Sequence, residues 1–131
     1  MHELIGVWRL VDITNKDADG NLLPPSYGPQ KMGLITFTDQ NRMMVVICDG
    51  REHLPEGMAG REYTSYAGTY RFDGATLVTA VDCSTPTTPA RVGTDQVRPA
   101  RFEGNRVILT APPVEIDGIV QYRDLVWEKI A

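Results

Sequence analysis

Along this chain, short runs of alternating apolar and polar residues are separated by turn signals at close intervals. The signals are Asp19-Gly20, Asp39-Gln40-Asn41, Asp49-Gly50, Asp73-Gly74, Glu103-Gly104-Asn105 and Asp117-Gly118. Asp-Gly and Gly-Asn steps tolerate the positive φ angles of tight hairpin turns, and the runs between them are rich in Val, Ile, Thr, Tyr and Phe, which suit a pleated, half-buried surface. The pattern predicts strands over residues 7–13, 34–38, 42–49, 66–72, 76–83, 93–102, 107–111 and 120–128. No segment of helical length repeats its apolar residues with the helical period. One or two short helical turns are expected at most, at residues 2–5 and within an irregular segment over 56–65.

Strands joined by successive hairpins form an antiparallel up-and-down meander, and so long a meander must protect its edges. Closure into a barrel removes them altogether. The predicted fold class is therefore all-β, an up-and-down barrel. A barrel of about eight strands is either filled by its own side chains or wide enough for one small ligand. The 131 residues suit a single domain spanning the whole chain, large enough to bury about two-thirds of the surface its unfolded form exposes.

Composition excludes several classes of partner. The chain is 42% hydrophobic and 23% charged, with a net charge of -4, as in an ordinary globular protein. Its arginines are scattered singly, without the basic stripe of a nucleic-acid binder, so nucleic acid is not an expected partner. The longest apolar run, residues 43–48, falls far short of the ~20 residues of a membrane-spanning helix. Met1-His2-Glu3-Leu4 supplies neither the basic nor the apolar part of a secretion signal. A cytoplasmic protein is expected, with no membrane partner and with Cys48 and Cys83 as free thiols.

Several blocks resemble one family in order along nearly the whole chain. Leu4-Ile5-Gly6-Val7-Trp8-Arg9-Leu10-Val11 is similar to the opening Gly-x-Trp strand of calycins, specifically of the bacterial and fungal lipocalin-like domain family. Asp19-Gly20, Pro24-Pro25-Ser26-Tyr27-Gly28-Pro29, Tyr66-Ala67-Gly68-Thr69-Tyr70, Gly93-Thr94-Asp95-Gln96-Val97-Arg98 and Leu125-Val126-Trp127-Glu128 agree with it. The resemblance implies a lipocalin-like barrel, a scaffold used both by ligand binders and by some enzymes of secondary metabolism; fold alone does not select between them. The chain departs from that pattern in two places. Many relatives carry histidine where this sequence reads Leu77-Val78-Thr79-Ala80-Val81-Asp82, and bulky residues where it reads Arg98-Pro99-Ala100. Pro99 removes a ladder donor, which calls for a bulge or an edge, and Ala100 leaves volume for a ligand.

Candidate chemistry is sparse. His2 and His53 are the two histidines, so no cofactor and no metal site are expected, and no hydrolase elbow or phosphate-binding loop occurs. Alternation over 93–102 groups Thr94, Gln96, Arg98, Ala100 and Phe102 on one face. If Phe102 points inward, so do Gln96 and Arg98. An inward arginine is costly unless a carboxylate, a carbonyl or a ligand anion meets it, and Asp82 or Asp12 is the candidate interior acid. Arg98 and Gln96 then either form a network that holds the barrel shut or contact a ligand. Tyr66, Gly68, Tyr70 and Phe72 share a face; the tyrosines are either ordinary core or a flat surface with a donor for an aromatic ligand.

In the last strand Gln121, Arg123, Leu125 and Trp127 lie together, and with Leu125 and Trp127 inward, Arg123 stands near the open end, where it attracts an acidic ligand. Met44, beside Met43, is either a gap filler or an adaptable ligand contact. Trp8 and Trp127, in strands that neighbour each other once the barrel closes, are expected to plug one end. The long connections 22–33 and 51–64 are candidate lids.

Two functions fit these residues. One is a binding barrel holding a small apolar or aromatic molecule, with Tyr66, Tyr70, Gln96, Arg98, Ala100, Phe102, Arg123 and Met44 around it. The other is a cofactor-independent isomerase, cyclase or lyase (a dehydratase) acting on a small polyketide-like, terpenoid or aromatic substrate. In it Arg98 or Tyr70 polarises a carbonyl and Asp82 moves a proton. A homodimer is left open.

Overall fold

Tight turns form where the chain carries residues that reach positive φ. Asn41 (62°), Gly74 (98°) and Gly104 (61°) turn three hairpins, and Asp117 and Gly118 (52° and 81°) turn a fourth. In the computed structural model, which describes residues 2–131, these turns connect β1 (Gly6–Lys16), β2 (Lys31–Phe37), β3 (Arg42–Asp49), β4 (Tyr63–Phe72), β5 (Thr76–Ser84), β6 (Asp95–Glu103), β7 (Arg106–Thr110), β8 (Val114–Ile116) and β9 (Ile119–Lys129). Every neighbouring pair is antiparallel, and β1 pairs with β9 to close an eight-stranded barrel; β8 lies outside that count, against the first residues of β9. The fold is the predicted all-β barrel.

Four differences from the sequence reading have physical causes. The segment 56–65 is not helical: its last residues extend β4 back to Tyr63, and residues 2–5 form a hydrogen-bonded turn, with no helix among the described residues. Strand β8 was not predicted, because Pro112 and Pro113 stop the ladder after β7 and leave a run of three residues beyond it. Pro99 neither bulges nor sits on a free edge. It falls where β6 ends its ladder with β5, at Thr76↔Pro99, and begins its ladder with β7, at Ala100↔Leu109. Finally, Trp127 does not sit beside Trp8. The β1–β9 register sets Trp8 opposite Lys129 and Leu10 opposite Trp127, so the second tryptophan lies one inward layer deeper.

The two ends differ. Tight hairpins and the N-terminal turn close one end over Leu4, Trp8, Phe37, Met43, Tyr70 and Val107, all buried. Phe37 meets Tyr70 edge-on at 5.1 Å, and Phe102 packs 6.1 Å from Phe72 and 6.4 Å from Trp8. Gly6, at φ 135°, lets the Gly-x-Trp strand start against the last residues of the chain: a Cβ there would stand 2.4 Å from the Ala131 carbonyl oxygen. Trp8 Nε1 donates to the Leu4 carbonyl at 2.9 Å. The long connections all leave the other end. There the β6–β7 ladder covers only Ala100 to Glu103, so the half of β6 carrying Gln96 and Arg98 has no β7 partner and the wall parts beside it.

Candidate ligand-binding cavity

The hollow of the barrel lies toward this open end, as a cavity of about 220 Å³. Its deeper walls are apolar, formed by Ile13, Val45, Ile47, Leu77, Leu109, Leu125 and Trp127, while Ala111 lies level with Arg123, to whose carbonyl its N–H donates. Toward the mouth stand Arg91, Arg98, Arg123, Tyr66 and Thr64, together with Ser26 and Tyr27 from the connection between β1 and β2.

Strand alternation positions the mouth cations. On β6, Gln96, Arg98, Ala100 and Phe102 turn inward while Asp95, Val97, Pro99 and Arg101 face solvent. Arg98 Nη2 donates to Gln96 Oε1 at 2.9 Å and Nη1 to the Val97 carbonyl at 2.9 Å. Gln96 in turn donates to Thr94 Oγ1 at 3.2 Å, which orients its amide. A guanidinium has five N–H donors, so most of the Arg98 capacity is unspent. Burial pushes its guanidinium below the usual arginine range, and the neighbouring Arg123 and Arg91 charges add to this. Arg123 is buried at Nε without a hydrogen-bond partner among the described residues. Arg91 sits 4.9 Å above the Tyr66 ring and donates to Ser84 Oγ at 3.2 Å. Burial raises the Tyr66 hydroxyl above its usual range, opposed by Arg98 and Arg91. No ion pair among the described residues includes any of the three arginines.

The connection that carries Ser26 and Tyr27 is fastened down at several points. Tyr27 donates through its hydroxyl to Thr64 Oγ1 at 2.9 Å and through its backbone N–H to Glu62 at 3.2 Å. Asn15 bridges the Pro24 carbonyl at 3.3 Å and Gln121 at 2.6 Å. Beneath Gly28 lies the Asp49–Arg51 pair, so close that a Cβ at Gly28 would stand 2.7 Å from Asp49 Oδ2. Asp49 is buried, and hydrogen bonds from Arg51 hold its carboxyl below the usual carboxylate range. Arg61 ties the far side of the connection between β3 and β4 to the Asp49 carbonyl at 2.6 Å.

Several expected site residues lie elsewhere. Asp82 is outside the barrel, because Leu77, Thr79 and Val81 are the inward residues of β5, and it is held in a bidentate pair by Arg42 at 2.5 and 3.1 Å. Asp12 faces outward as well, 3.6 Å from Lys31. Arg98 therefore meets neither of the two interior acids expected for it. Tyr70 is buried in the closed end, where its hydroxyl donates to the Thr38 carbonyl at 2.7 Å and stands 3.0 Å from His2 Nε2. Arg98, Asp82 and Tyr70 do not come together, so the acid–base arrangement expected for an enzyme is not assembled. Met44 points to solvent, 62% exposed, and Met43 takes the inward place. Phe102 and Ala100 face inward but pack in the core beyond the cavity, and Gln96 acts on it only through Arg98. Among the expected residues, Tyr66, Arg98 and Arg123 line the cavity.

Sequence reasoning missed Arg91 and the cavity position of Trp127, and reached Ser26, Tyr27 and Thr64 only as members of the candidate lids 22–33 and 51–64, without naming them as site residues. Ser26, Tyr27 and Arg91 lie in connections, where no periodicity assigns a face. Among the described residues, no group of three or more His, Cys, Asp or Glu stands close enough to hold a metal ion. No helix among them is long and apolar enough to cross a membrane.

The sequence matches a family described as lipocalin-like domain over residues 5–130, nearly the whole chain. The chain belongs to that lipocalin-like family. The match spans the Gly-x-Trp strand, the connection between β1 and β2 and the closing strand, all of which contribute to the cavity wall of this lipocalin-like barrel. No curated protein matches the chain.

Proposed function

We propose that this lipocalin-like barrel holds one small, largely apolar aromatic molecule in its interior. The observation that carries the reading is the 220 Å³ cavity with apolar deeper walls and polar groups gathered at one end. Small-molecule sites have this construction, a mostly apolar concavity with a few polar groups that fix orientation. An apolar cavity of roughly 150 Å³ takes a benzene ring, so this one has room for about one to two fused rings. Trp127, Leu77 and Leu109 offer flat and branched apolar surface for the rings, and Tyr66 adds an aromatic face with a hydroxyl.

At about 0.5 kcal/mol per non-hydrogen atom, between the ceilings for the smallest and for drug-sized ligands, a two-ring molecule binds with a Kd of tens to hundreds of micromolar. Isothermal titration of the protein with 2-naphthoate and with 2-naphthamide tests the reading. Saturable one-to-one binding of at least one of them with a negative heat-capacity change is expected. Absence of saturable binding of both at millimolar concentration would overturn it.

A further inference from the structure

We propose that the molecule held in the barrel is an acid, an aromatic ring system seated on Leu77, Leu109 and Trp127 with its carboxylate held at the mouth by Arg98 and Arg123. This rests on the binding reading above and adds the chemical class of the ligand.

The charge of the lining is one-sided. Three arginines contribute to the wall and no aspartate or glutamate does, in a chain whose net charge is -4. Glu62, which accepts from the Tyr27 backbone, and Asp49, beneath Gly28, are not part of the lining. Carboxylates are available elsewhere to pair arginines on the outer wall: Arg42 has Asp82, and Arg9 and Arg106 share Glu128. The three mouth arginines stand together with neutral acceptors only; Arg61, likewise without a carboxylate, is outside the lining and bound to the Asp49 and Arg51 carbonyls. Arg98 has the Gln96 amide and a carbonyl, Arg91 the Ser84 hydroxyl and the Tyr66 ring, and Arg123 has a buried Nε with no partner.

Half-buried cations that repel one another are costly, and proteins seldom keep them unless an anion completes the group. A carboxylate fits because its two oxygens can accept from two guanidiniums, or from one in bidentate fashion. A second aromatic acid group does not fit, since the space behind the arginines is apolar. A neutral aromatic would leave both guanidiniums unpaired beneath it. The clustered positive charge also draws an anion toward the mouth before contact, which makes its binding sensitive to ionic strength.

The test compares 2-naphthoate with 2-naphthamide, alike in shape and different in charge, by titration calorimetry on the wild type, Arg98→Gln and Arg123→Gln. Wild type is expected to bind the naphthoate about tenfold or more tightly than the amide, and each variant to lose most of that preference, weakening the naphthoate several-fold more than the amide. Raising the salt from 20 to 500 mM, roughly a fivefold shortening of the screening length, is expected to weaken the naphthoate and not the amide. Thermal midpoints of the ligand-free variants serve as the folding control, and they are expected to equal or exceed wild type, because each substitution removes an uncompensated charge. Equal affinity for acid and amide in wild type would overturn the acid inference and leave the binding reading standing. So would variants that weaken both compounds alike. Failure of both compounds to bind would overturn the binding reading itself. If one variant does not fold, the salt dependence and the other variant decide.

Discussion

Ala111→Leu asks whether the interior is hollow. Ala111 is buried, lies just past the end of β7, and lines the cavity opposite no acid. Leucine adds three carbons on a side chain that alternates inward with Val107 and Leu109. In a filled core those carbons would be overpacking, costing about 1–3 kcal/mol. In a cavity of 220 Å³ they find room. Burying them contributes about 0.8 kcal/mol each, less about 0.5–1 kcal/mol of lost rotamer freedom, for a net gain of about 1.5 kcal/mol. For a domain of this size that gain raises the thermal midpoint by about 5 °C. Differential scanning calorimetry measures the shift, and 2-naphthoate titration of the same variant is expected to show about a tenfold or greater loss of affinity, because the leucine occupies ligand space. A fall of several degrees would refute the hollow interior. A rise with unchanged affinity would show that the ligand binds outside it.

Three further outcomes are expected. Gly68→Ala drives a Cβ to 2.0 Å from the Ala80 carbonyl oxygen, at the bulge where β4 shifts register against β5; a loss of about 3 kcal/mol or more is expected in urea unfolding with unchanged slope, and unchanged stability would contradict the strand contact. Burial lowers the His2 pKa in the folded protein, where Nδ1 accepts from the Leu4 N–H and Nε2 meets Tyr70. The unfolded chain therefore binds the proton more readily, so stability is full above the ordinary histidine pKa and declines as pH falls through about 6.5 and below; His2→Phe is expected to flatten that slope. Asp49→Asn weakens the grip of Arg51 beneath Gly28, and amide hydrogen exchange at Tyr27 and Gly28 is expected to quicken about tenfold, with exchange elsewhere in the barrel unchanged.

The barrel was readable from the chain because its signal is local and repeated. Turn residues at Asn41, Gly74, Gly104 and Asp117-Gly118 coincide with the positive φ angles the hairpins need. The grouping of Gln96, Arg98, Ala100 and Phe102 on one face of β6 was readable from alternation, but polar and apolar residues occur on both faces, so only the structure fixes that face as the inward one. Strand β5 was no clearer. Leu77, Val78, Ala80 and Val81 place apolar residues on both of its faces, so periodicity alone could not send Asp82 outward. Met43 and Met44 posed the same problem, as adjacent identical residues carry no parity. Depth along the barrel was also invisible: Tyr66 and Tyr70 share a face, yet one lines the cavity and the other lies sealed at the closed end. Register with neighbouring strands sets that depth, and register is a property of the closed sheet. The arginine cluster was half-readable, through Arg98 and Arg123 on strands, while Arg91 reaches it from a connection.

The central claim is that a small molecule binds inside the barrel toward its open end, and the two tryptophans test it within one spectrum. Trp127 lines the cavity, whereas Trp8 is bonded to Leu4 at the opposite end. In a 2-naphthoate titration followed by ¹H–¹⁵N correlation NMR, the Trp127 indole signal is expected to shift along with the amides of Tyr66, Arg98 and Arg123, and the Trp8 indole to stay in place. Shifts confined to Trp8, or to the outer face of β2 and β3 around Met44, would contradict it.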